Sequence, residues 1–293
     1  MGIGQQIIRL YSDIFKNIDL NKTYSVCELG RQNLVITKNI DEDFKNLYSL
    51  FNKTPNHEVM QLSPKDNWGI RAKNLYESLG FNYTSIDIDN EEKNEDPNSN
   101  IIMDLNFDYL ENAHFNKFDL VTNYGTSEHL LNQLNFFKTM HDLTNKNGLM
   151  IHELPCMFGI NHGMFKYEPK FFTDLARSNS YEILGFWSVL DPPSLELYKW
   201  DEKFEIENSK DMYIICVFKK TNENEFCVPL CANYEMKIKN SVLKRYKYNV
   251  EGKIINGDKT TSILRNKNDL AHLKKEILFN EIKNRILTKL RLR

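Results

Sequence analysis

Four apolar, strand-like runs in the first half of the chain each end on a polar side chain, and this arrangement limits the fold more than any other feature. The terminal polar residues are Glu28, Asp87, Asp104 and Asn123. Along the whole chain, strand-like runs alternate with segments that have helical spacing of apolar residues, which is typical of a parallel α/β sheet. Such sheets bind ligands beyond the carboxyl ends of their strands. We therefore expect these four side chains to line one nucleoside-sized site.

The same patterns predict the remaining elements. Predicted strands cover about 24–29, 82–88, 100–104, 118–123, 149–154, 181–190 and 212–219. Predicted helices cover 1–20, 41–51, 67–79, 129–143 and 169–178, and Gly80 is well placed to end the third of these. The crossover from 31 to 80 is unusually long, and a connection of that length is expected to be functional.

Length and composition favour one large domain with an extension. The chain of 293 residues has 41% hydrophobic and 27% charged residues, and we expect a domain at 1–220 and an extension at 221–293. The net charge of −2 argues against a general nucleic-acid binder. Five scattered cysteines without a CxxC pair indicate reduced thiols and a cytoplasmic location. No apolar run approaches the length of a membrane span.

The order of the four polar strand ends resembles the class I S-adenosylmethionine (SAM)-dependent methyltransferases. This resemblance implies a doubly wound, mostly parallel, seven-stranded Rossmann-like sheet with helices on both faces, here followed by a C-terminal helical extension. It also implies SAM as the cofactor. Two alternatives remain, an NAD-linked oxidoreductase of the same fold class and a non-catalytic scaffold that has lost cofactor affinity.

The first turn departs from the family pattern, which is acidic-x-Gly-x-Gly-x-Gly. Glu28 and Gly30 match it, whereas Gln32 stands where the second glycine is expected. Glycines let the backbone approach a nucleotide closely. We therefore expect Gln32 to contact the cofactor through its side chain, beside Glu28 and Gly30.

The second strand end carries the predicted ribose ligand. By resemblance, Asp87 accepts hydrogen bonds from the ribose hydroxyls and Ile88 packs on the adenine. Asp89 is the competing candidate, because it lies two residues further along on the same strand face.

The third and fourth strand ends complete the predicted cofactor site. Asp104 and Leu105 resemble the segment that reads the adenine amino group, and a carboxylate can accept from such an amine. Asn123 resembles the residue that passes beneath the methionine part and faces the acceptor. An ordinary solvated strand end is the alternative for Asp104.

Proton removal from an acceptor hydroxyl requires a base near neutral pKa, for which histidine is the usual choice. Three histidines beyond strands four and five are candidates, namely His129, His152 and His162. We favour His162, since the neighbouring Gly163 gives its loop backbone freedom. No tight ligand spacing such as HExxH occurs, so the sequence predicts no metal site.

The segments 154–163 and 167–172 resemble bacterial methyltransferases associated with surface-polysaccharide and similar biosynthetic pathways. The resemblance implies a small-molecule or sugar acceptor. Residues 265–293 carry nine Lys or Arg against three Asp or Glu, and 268–293 has the pattern of a basic amphipathic helix. We expect it to dock on the body or on a second subunit, with contact to an anionic membrane surface as the alternative.

Overall fold

The computed structural model describes residues 2–17, 19–37, 39–63, 69–89, 99–157, 161–190, 198–199, 211–231 and 246. All of them belong to one unit, Met1–Asp258. The predicted helix at 268–293 lies outside the described residues. Its docking therefore stays a prediction, as does the division at residue 220.

The described elements follow the predicted alternation. The helices are α1 (Gln5–Ile14), α2 (Asp41–Ser49), α3 (Ala72–Leu79), α4 (Gln133–Leu143) and α5 (Pro169–Asn179). The strands are β1 (Ile3–Gly4), β2 (Ser25–Leu29), β3 (Leu34–Val35), β4 (Asn82–Asp87), β5 (Asn100–Ile102), β6 (Phe118–Tyr124), β7 (Thr144–Met157), β8 (Glu182–Leu190), β9 (Tyr198–Lys199) and β10 (Met212–Lys219).

The main sheet has the order β5-β4-β2-β6-β7-β10-β8-β9. The first five strands in this order pair in parallel, and β10 runs antiparallel to both β7 and β8. All seven predicted strands are present. The two-residue strand β9 pairs with the edge strand β8 and makes the described sheet eight-stranded rather than seven-stranded.

Helices pack on both faces of the sheet because β2 and β6 alternate their apolar side chains between two cores. Val26 and Leu120 point into a core shared with α1, α2 and α3. Cys27 and Val121 point to the opposite side, into a core shared with α4 and α5. This two-sided burial is the doubly wound arrangement that the strand pattern predicts.

Several boundaries differ from the sequence prediction. Helix α1 covers Gln5–Ile14 rather than 1–20, and helix α4 begins at Gln133 rather than 129. Strand β7 begins at Thr144 rather than 149, and it contains Asn147 with a positive φ of 68°. The Asn147-Gly148 pair therefore makes an irregularity within the strand instead of preceding it. Helix α3 begins at Ala72 rather than 67, whereas Gly80 does end it in the left-handed conformation, with φ of 92°.

The N-terminal segment is tied to the region that follows β2. Strand β1 pairs in parallel with β3, and the Ile3 amide donates to the Asn33 carbonyl. The Tyr11 hydroxyl of α1 lies 2.6 Å from that of Tyr124 at the end of β6. Helix α1 thus packs beside the carboxyl ends of the central strands. No helix in the described part of the chain is long and apolar enough to cross a membrane.

Candidate active site

The carboxyl ends of β5, β4, β2 and β6 lie side by side at one edge of the sheet, because these four strands are neighbours and parallel. The four predicted polar strand ends are therefore brought to the same edge. Their side chains nevertheless have different surroundings, and the contacts of each side chain indicate its role.

The Glu28 side chain is buried beneath the first turn. One carboxylate oxygen accepts from the Gln32 backbone amide at 2.9 Å and from the Tyr83 hydroxyl at 2.7 Å. The other oxygen has no hydrogen-bond partner among the described residues. Burial raises the pKa of Glu28 to about 7, against the opposing effect of these two hydrogen bonds. In this conformation Glu28 anchors the turn from inside.

Gly30 and Gln32 shape the same turn. Gly30 has φ of 74°, and a Cβ there would lie 2.4 Å from the Thr126 hydroxyl oxygen. Gln32 is buried, and its side-chain nitrogen Nε2 donates to the Gly30 carbonyl at 3.0 Å. The Thr126 hydroxyl also donates to the Leu29 carbonyl at 2.6 Å, so it links the β2 turn to the loop after β6.

The Asp87 carboxylate is held by Arg31, a residue that sequence reasoning missed. One oxygen of Asp87 accepts from the Arg31 backbone amide at 2.8 Å and from its Nε at 3.3 Å. The Arg31 Nη2 also donates to Asp89, at 2.8 Å from its carboxylate. The Arg31 side chain is only 4% exposed, whereas that of Asp87 is 24% exposed. A buried guanidinium therefore orients the predicted ribose ligand and its competitor together.

The predicted adenine side of the site has mixed surroundings. Ile88 is 62% exposed next to Asp87, so its side chain is available to a ligand at the end of β4. Asp104 accepts from the Asn106 amide at 2.9 Å and thereby caps the turn that follows β5. Leu105 is buried in the core shared with α4 and α5.

Asn123 forms the tight turn after β6. Its oxygen accepts from the amides of Thr126 and Ser127, and its nitrogen donates to the Ser127 hydroxyl at 3.0 Å. Its nitrogen also lies 3.3 Å from Nδ1 of His152. The buried Asn123 side chain is thus used in shaping the loop that carries Glu128.

The three candidate histidines separate into two environments. His152 is buried, with Phe137, Phe172 and Phe218 rings around it at centroid distances of 5.5–5.7 Å. Burial lowers the pKa of His152 to about 3, which makes it a weak base. His129 and His162 instead come together, with ring centroids 5.5 Å apart.

Glu128 joins His129 and His162 to form what we call the Glu-His-His cluster. Its carboxylate oxygen Oε1 lies 3.9 Å from Nε2 of His129 and 3.7 Å from Nε2 of His162. The Glu128 side chain is fully buried, whereas those of His129 and His162 are 47% and 32% exposed. The local sequence does not reveal this role of Glu128, because nothing near it in the chain indicates that His162 folds back onto it.

Backbone bonds fix how the two loops meet. The amides of Met164 and Phe165 both donate to the Glu128 carbonyl, at 2.8 and 3.1 Å. The Tyr167 hydroxyl donates to the Ser127 hydroxyl at 2.8 Å. These bonds dock the loop after β7 onto the loop after β6 and place His162 against Glu128.

Burial in the cluster favours the uncharged forms of Glu128 and His129. Burial raises the pKa of Glu128 to about 7, and burial together with the neighbouring His162 lowers the pKa of His129. Neither Glu128 oxygen nor the His162 Nε2 has a hydrogen-bond partner among the described residues. The carboxylate and imidazole atoms of the cluster are of the types that act as general bases and that bind metal ions.

Residues 67–199 match the family model described as a methyltransferase domain. This match covers less than half of the chain, and it supports a SAM-dependent methyltransferase. It also supports S-adenosyl-L-methionine rather than NAD as the cofactor. No curated protein matches this sequence.

Solved structures similar to this chain have low identity to it. One is the 1,6-didemethyltoxoflavin-N1-methyltransferase of Burkholderia thailandensis with bound 1,6-didemethyltoxoflavin and S-adenosylhomocysteine, at 12% identity and a TM-score of 0.41, covering 73% of this chain and 78% of that one. Another is a SAM-dependent methyltransferase of Archaeoglobus fulgidus, at 12% identity and a TM-score of 0.41, covering 74% and 92% of the two chains.

The residues at the sheet edge fit the cofactor. Asp87 offers a part-exposed carboxylate at the end of β4, and Ile88 presents an apolar surface beside it. These are the groups that a nucleoside with a ribose diol requires. Arg31 adds a fixed positive charge that holds the carboxylate of Asp87 in position.

Proposed function

We propose that this methyltransferase methylates a hydroxyl group of a small-molecule or sugar acceptor, with His162 as the general base. The observation that carries the proposal is the Glu-His-His cluster, which offers a part-exposed imidazole beside a buried carboxylate. The resemblance of 154–163 and 167–172 to methyltransferases of surface-polysaccharide pathways supports a sugar as the acceptor class.

SAM supplies a methyl group on a positively charged sulfur. The acceptor oxygen attacks the methyl carbon as the carbon–sulfur bond breaks, so the hydroxyl proton has to leave during or after the attack. In our proposal it passes to Nε2 of His162, which has no competing hydrogen-bond partner among the described residues. Holding acceptor and methyl group in line can supply much of the acceleration.

Glu128 assists His162 in this scheme. A carboxylate 3.7 Å from the imidazole gains Coulombic attraction once the ring carries the proton, and burial strengthens that attraction relative to water. His129 at the rim is the second candidate base, because it lies at a similar distance from the same carboxylate. His152 is not carried forward as a base, since it is enclosed by aromatic rings.

The remaining proposals about partners follow from charge and composition. We retain a cytoplasmic location, no nucleic-acid partner, and docking of the basic segment at 268–293 on the body or on a second subunit. Contact of that segment with an anionic membrane remains the alternative, and it would suit a lipid-linked glycan acceptor.

A turnover screen tests the acceptor class. Formation of S-adenosylhomocysteine would be measured with sugar nucleotides, lipid-linked glycans, small phenols, tRNA and a protein mixture as acceptors. Turnover with a sugar or small molecule is expected. Methylation of nucleic acid or protein alone would refute the proposal.

His162→Ala tests the base. We expect turnover to fall by about 10²–10⁴-fold, with SAM affinity by calorimetry nearly constant. His57→Ala is the matched control, because His57 is an exposed histidine outside the cluster. Parallel loss of SAM binding would make His162 part of the cofactor site, and full activity would move the role to His129.

A further inference from the structure

The Glu-His-His cluster has a composition that proton transfer alone does not require. It combines one carboxylate and two imidazoles from separate loops, and their ligand-type atoms all lie within 4.8 Å of one another. We propose that Glu128, His129 and His162 bind one divalent transition-metal ion through a carboxylate oxygen and two Nε2 nitrogens. This goes beyond the sequence, whose spacing predicts no metal site.

The distances are close to those of a formed site. Ligand bonds of about 2.0–2.2 Å in tetrahedral geometry place ligand atoms roughly 3.3–3.5 Å apart. Here Oε1 of Glu128 lies 3.9 Å and 3.7 Å from the two imidazole nitrogens. Small rotations of the part-exposed His129 and His162 side chains would close these gaps, while the buried Glu128 stays fixed.

The buried carboxylate gives the second, independent reason. Glu128 is fully buried, and neither of its oxygens has a hydrogen-bond partner in the described part of the chain. Burying a carboxylate without a partner is costly, and proteins normally compensate it by pairing, by protonation or by a metal ion. A cation at the cluster would satisfy both Glu128 and the unpartnered Nε2 of His162 at once.

The donor set also limits which ion fits. Ca²⁺ and Mg²⁺ prefer oxygen ligands, whereas two imidazoles and a carboxylate suit Zn²⁺, Mn²⁺, Fe²⁺ or Co²⁺. Three protein ligands leave at least one coordination position for a further group. The exposure of His129 and His162 places that position on the accessible side of the cluster.

The inference deepens the proposed function and rests on it for the identity of the acceptor. An acceptor hydroxyl in the fourth position would have its pKa lowered by the ion, and its proton would pass to water. In the metal-bound enzyme His162 is then a ligand, so the base role applies to the metal-free enzyme. Binding of the ion itself can be measured without acceptor or SAM.

Cobalt provides the probe. Chelator-treated full-length protein would be titrated with CoCl₂ while its visible absorption is followed, and Zn²⁺ would then be added to displace the cobalt. Glu128→Gln and His162→Ala each remove one ligand, and His57→Ala is the control. Unchanged cobalt binding by Cys231→Ser, together with the absence of a thiolate charge-transfer band, would exclude ligation by this exposed cysteine.

We expect saturable binding of one Co²⁺ per chain, displaced by Zn²⁺ and retained in His57→Ala. Affinity should fall at least about 100-fold in Glu128→Gln and in His162→Ala. Glu128→Gln preserves side-chain size, and its circular dichroism spectrum would confirm that it folds. Absence of saturable binding to folded wild-type protein would overturn the inference, and so would binding by both variants with the affinity of wild type.

Activity separates this failure from failure of the proposed function. Sugar methylation that proceeds in chelator, together with no cobalt binding, would leave the proposed function standing and reject the ion. Specific cobalt binding without methylation of any sugar or small molecule would support the ion and reject the acceptor class.

Discussion

Replacing Glu28 by glutamine should change how stability depends on pH. Burial raises the pKa of Glu28 from 4.5 to about 7, so the folded protein retains a proton that the unfolded chain has released. Between pH 4.5 and 7 the folded state therefore binds more protons, and the free energy of unfolding falls as pH rises. Above pH 7 this cost is fully present, and below pH 4.5 it is absent.

The magnitude follows from the size of the pKa change. A rise from 4.5 to about 7 corresponds to about 3 kcal/mol at 1.36 kcal/mol per pKa unit. The glutamine of the Glu28→Gln variant would be neutral in both states, and its side-chain oxygen can still accept from the Gln32 amide and the Tyr83 hydroxyl. The stability of Glu28→Gln relative to wild type should therefore increase by up to about 3 kcal/mol between about pH 4.5 and 8.

Urea unfolding followed by tryptophan fluorescence at several pH values measures this difference. Comparison with wild type at each pH cancels the contributions of other buried carboxyl groups, Glu153 among them, whose pKa burial also raises to about 7. Glu58→Gln, at an exposed position, is the control. A stability difference between Glu28→Gln and wild type that does not vary with pH would refute the reasoning.

Three further changes test the cofactor site and the core. Asp87→Ala should weaken SAM binding, measured by calorimetry, by at least about 10-fold, since hydrogen bonds to charged groups contribute about 1.5–3 kcal/mol each. If Asp89→Ala loses SAM affinity instead, the ribose assignment is off by two residues. Gly30→Ala should lower the free energy of unfolding by about 1–2 kcal/mol and weaken SAM binding, because φ is 74° and the added Cβ would meet Thr126. Unchanged stability would contradict the described turn. Lys220→Met should lower the free energy of unfolding in urea by at least about 2 kcal/mol. The Lys220 ammonium donates to the Asn116 side chain and to two backbone carbonyls at 2.8–2.9 Å, and methionine cannot replace these bonds. Unchanged stability would argue against that buried network.

Lys220 illustrates a kind of contact that sequence patterns do not reveal. Its position directly after the apolar strand β10 looks like an ordinary charged strand end. In the folded protein its amine is enclosed by groups from 116 to 144, far away in the chain. Only the pairing of β10 with β7 brings them together.

Local pattern was sufficient for the layers of the fold. The period of apolar residues identified α1, α2, α4 and α5, and Gly80 correctly ended α3, because helix and strand periodicity and helix stop signals act within one or two turns. The polar strand ends also predicted that they lie together at one edge of the sheet, where we propose the cofactor site. This follows because parallel strands all end at the same edge.

What each polar group does at that edge was decided by the tertiary structure. Glu28 and Asn123 point inward and shape their own loops, and Arg31 donates hydrogen bonds to Asp87. His162 reaches Glu128 only because the loop after β7 bonds to the loop after β6. Periodicity fixes whether a residue lies on a strand, a helix or a loop, but hydrogen-bond partners and burial depend on segments distant in sequence. The sequence could therefore name His162 as a candidate base, whereas its Glu128 partner and the ligand set became visible only once the chain was folded.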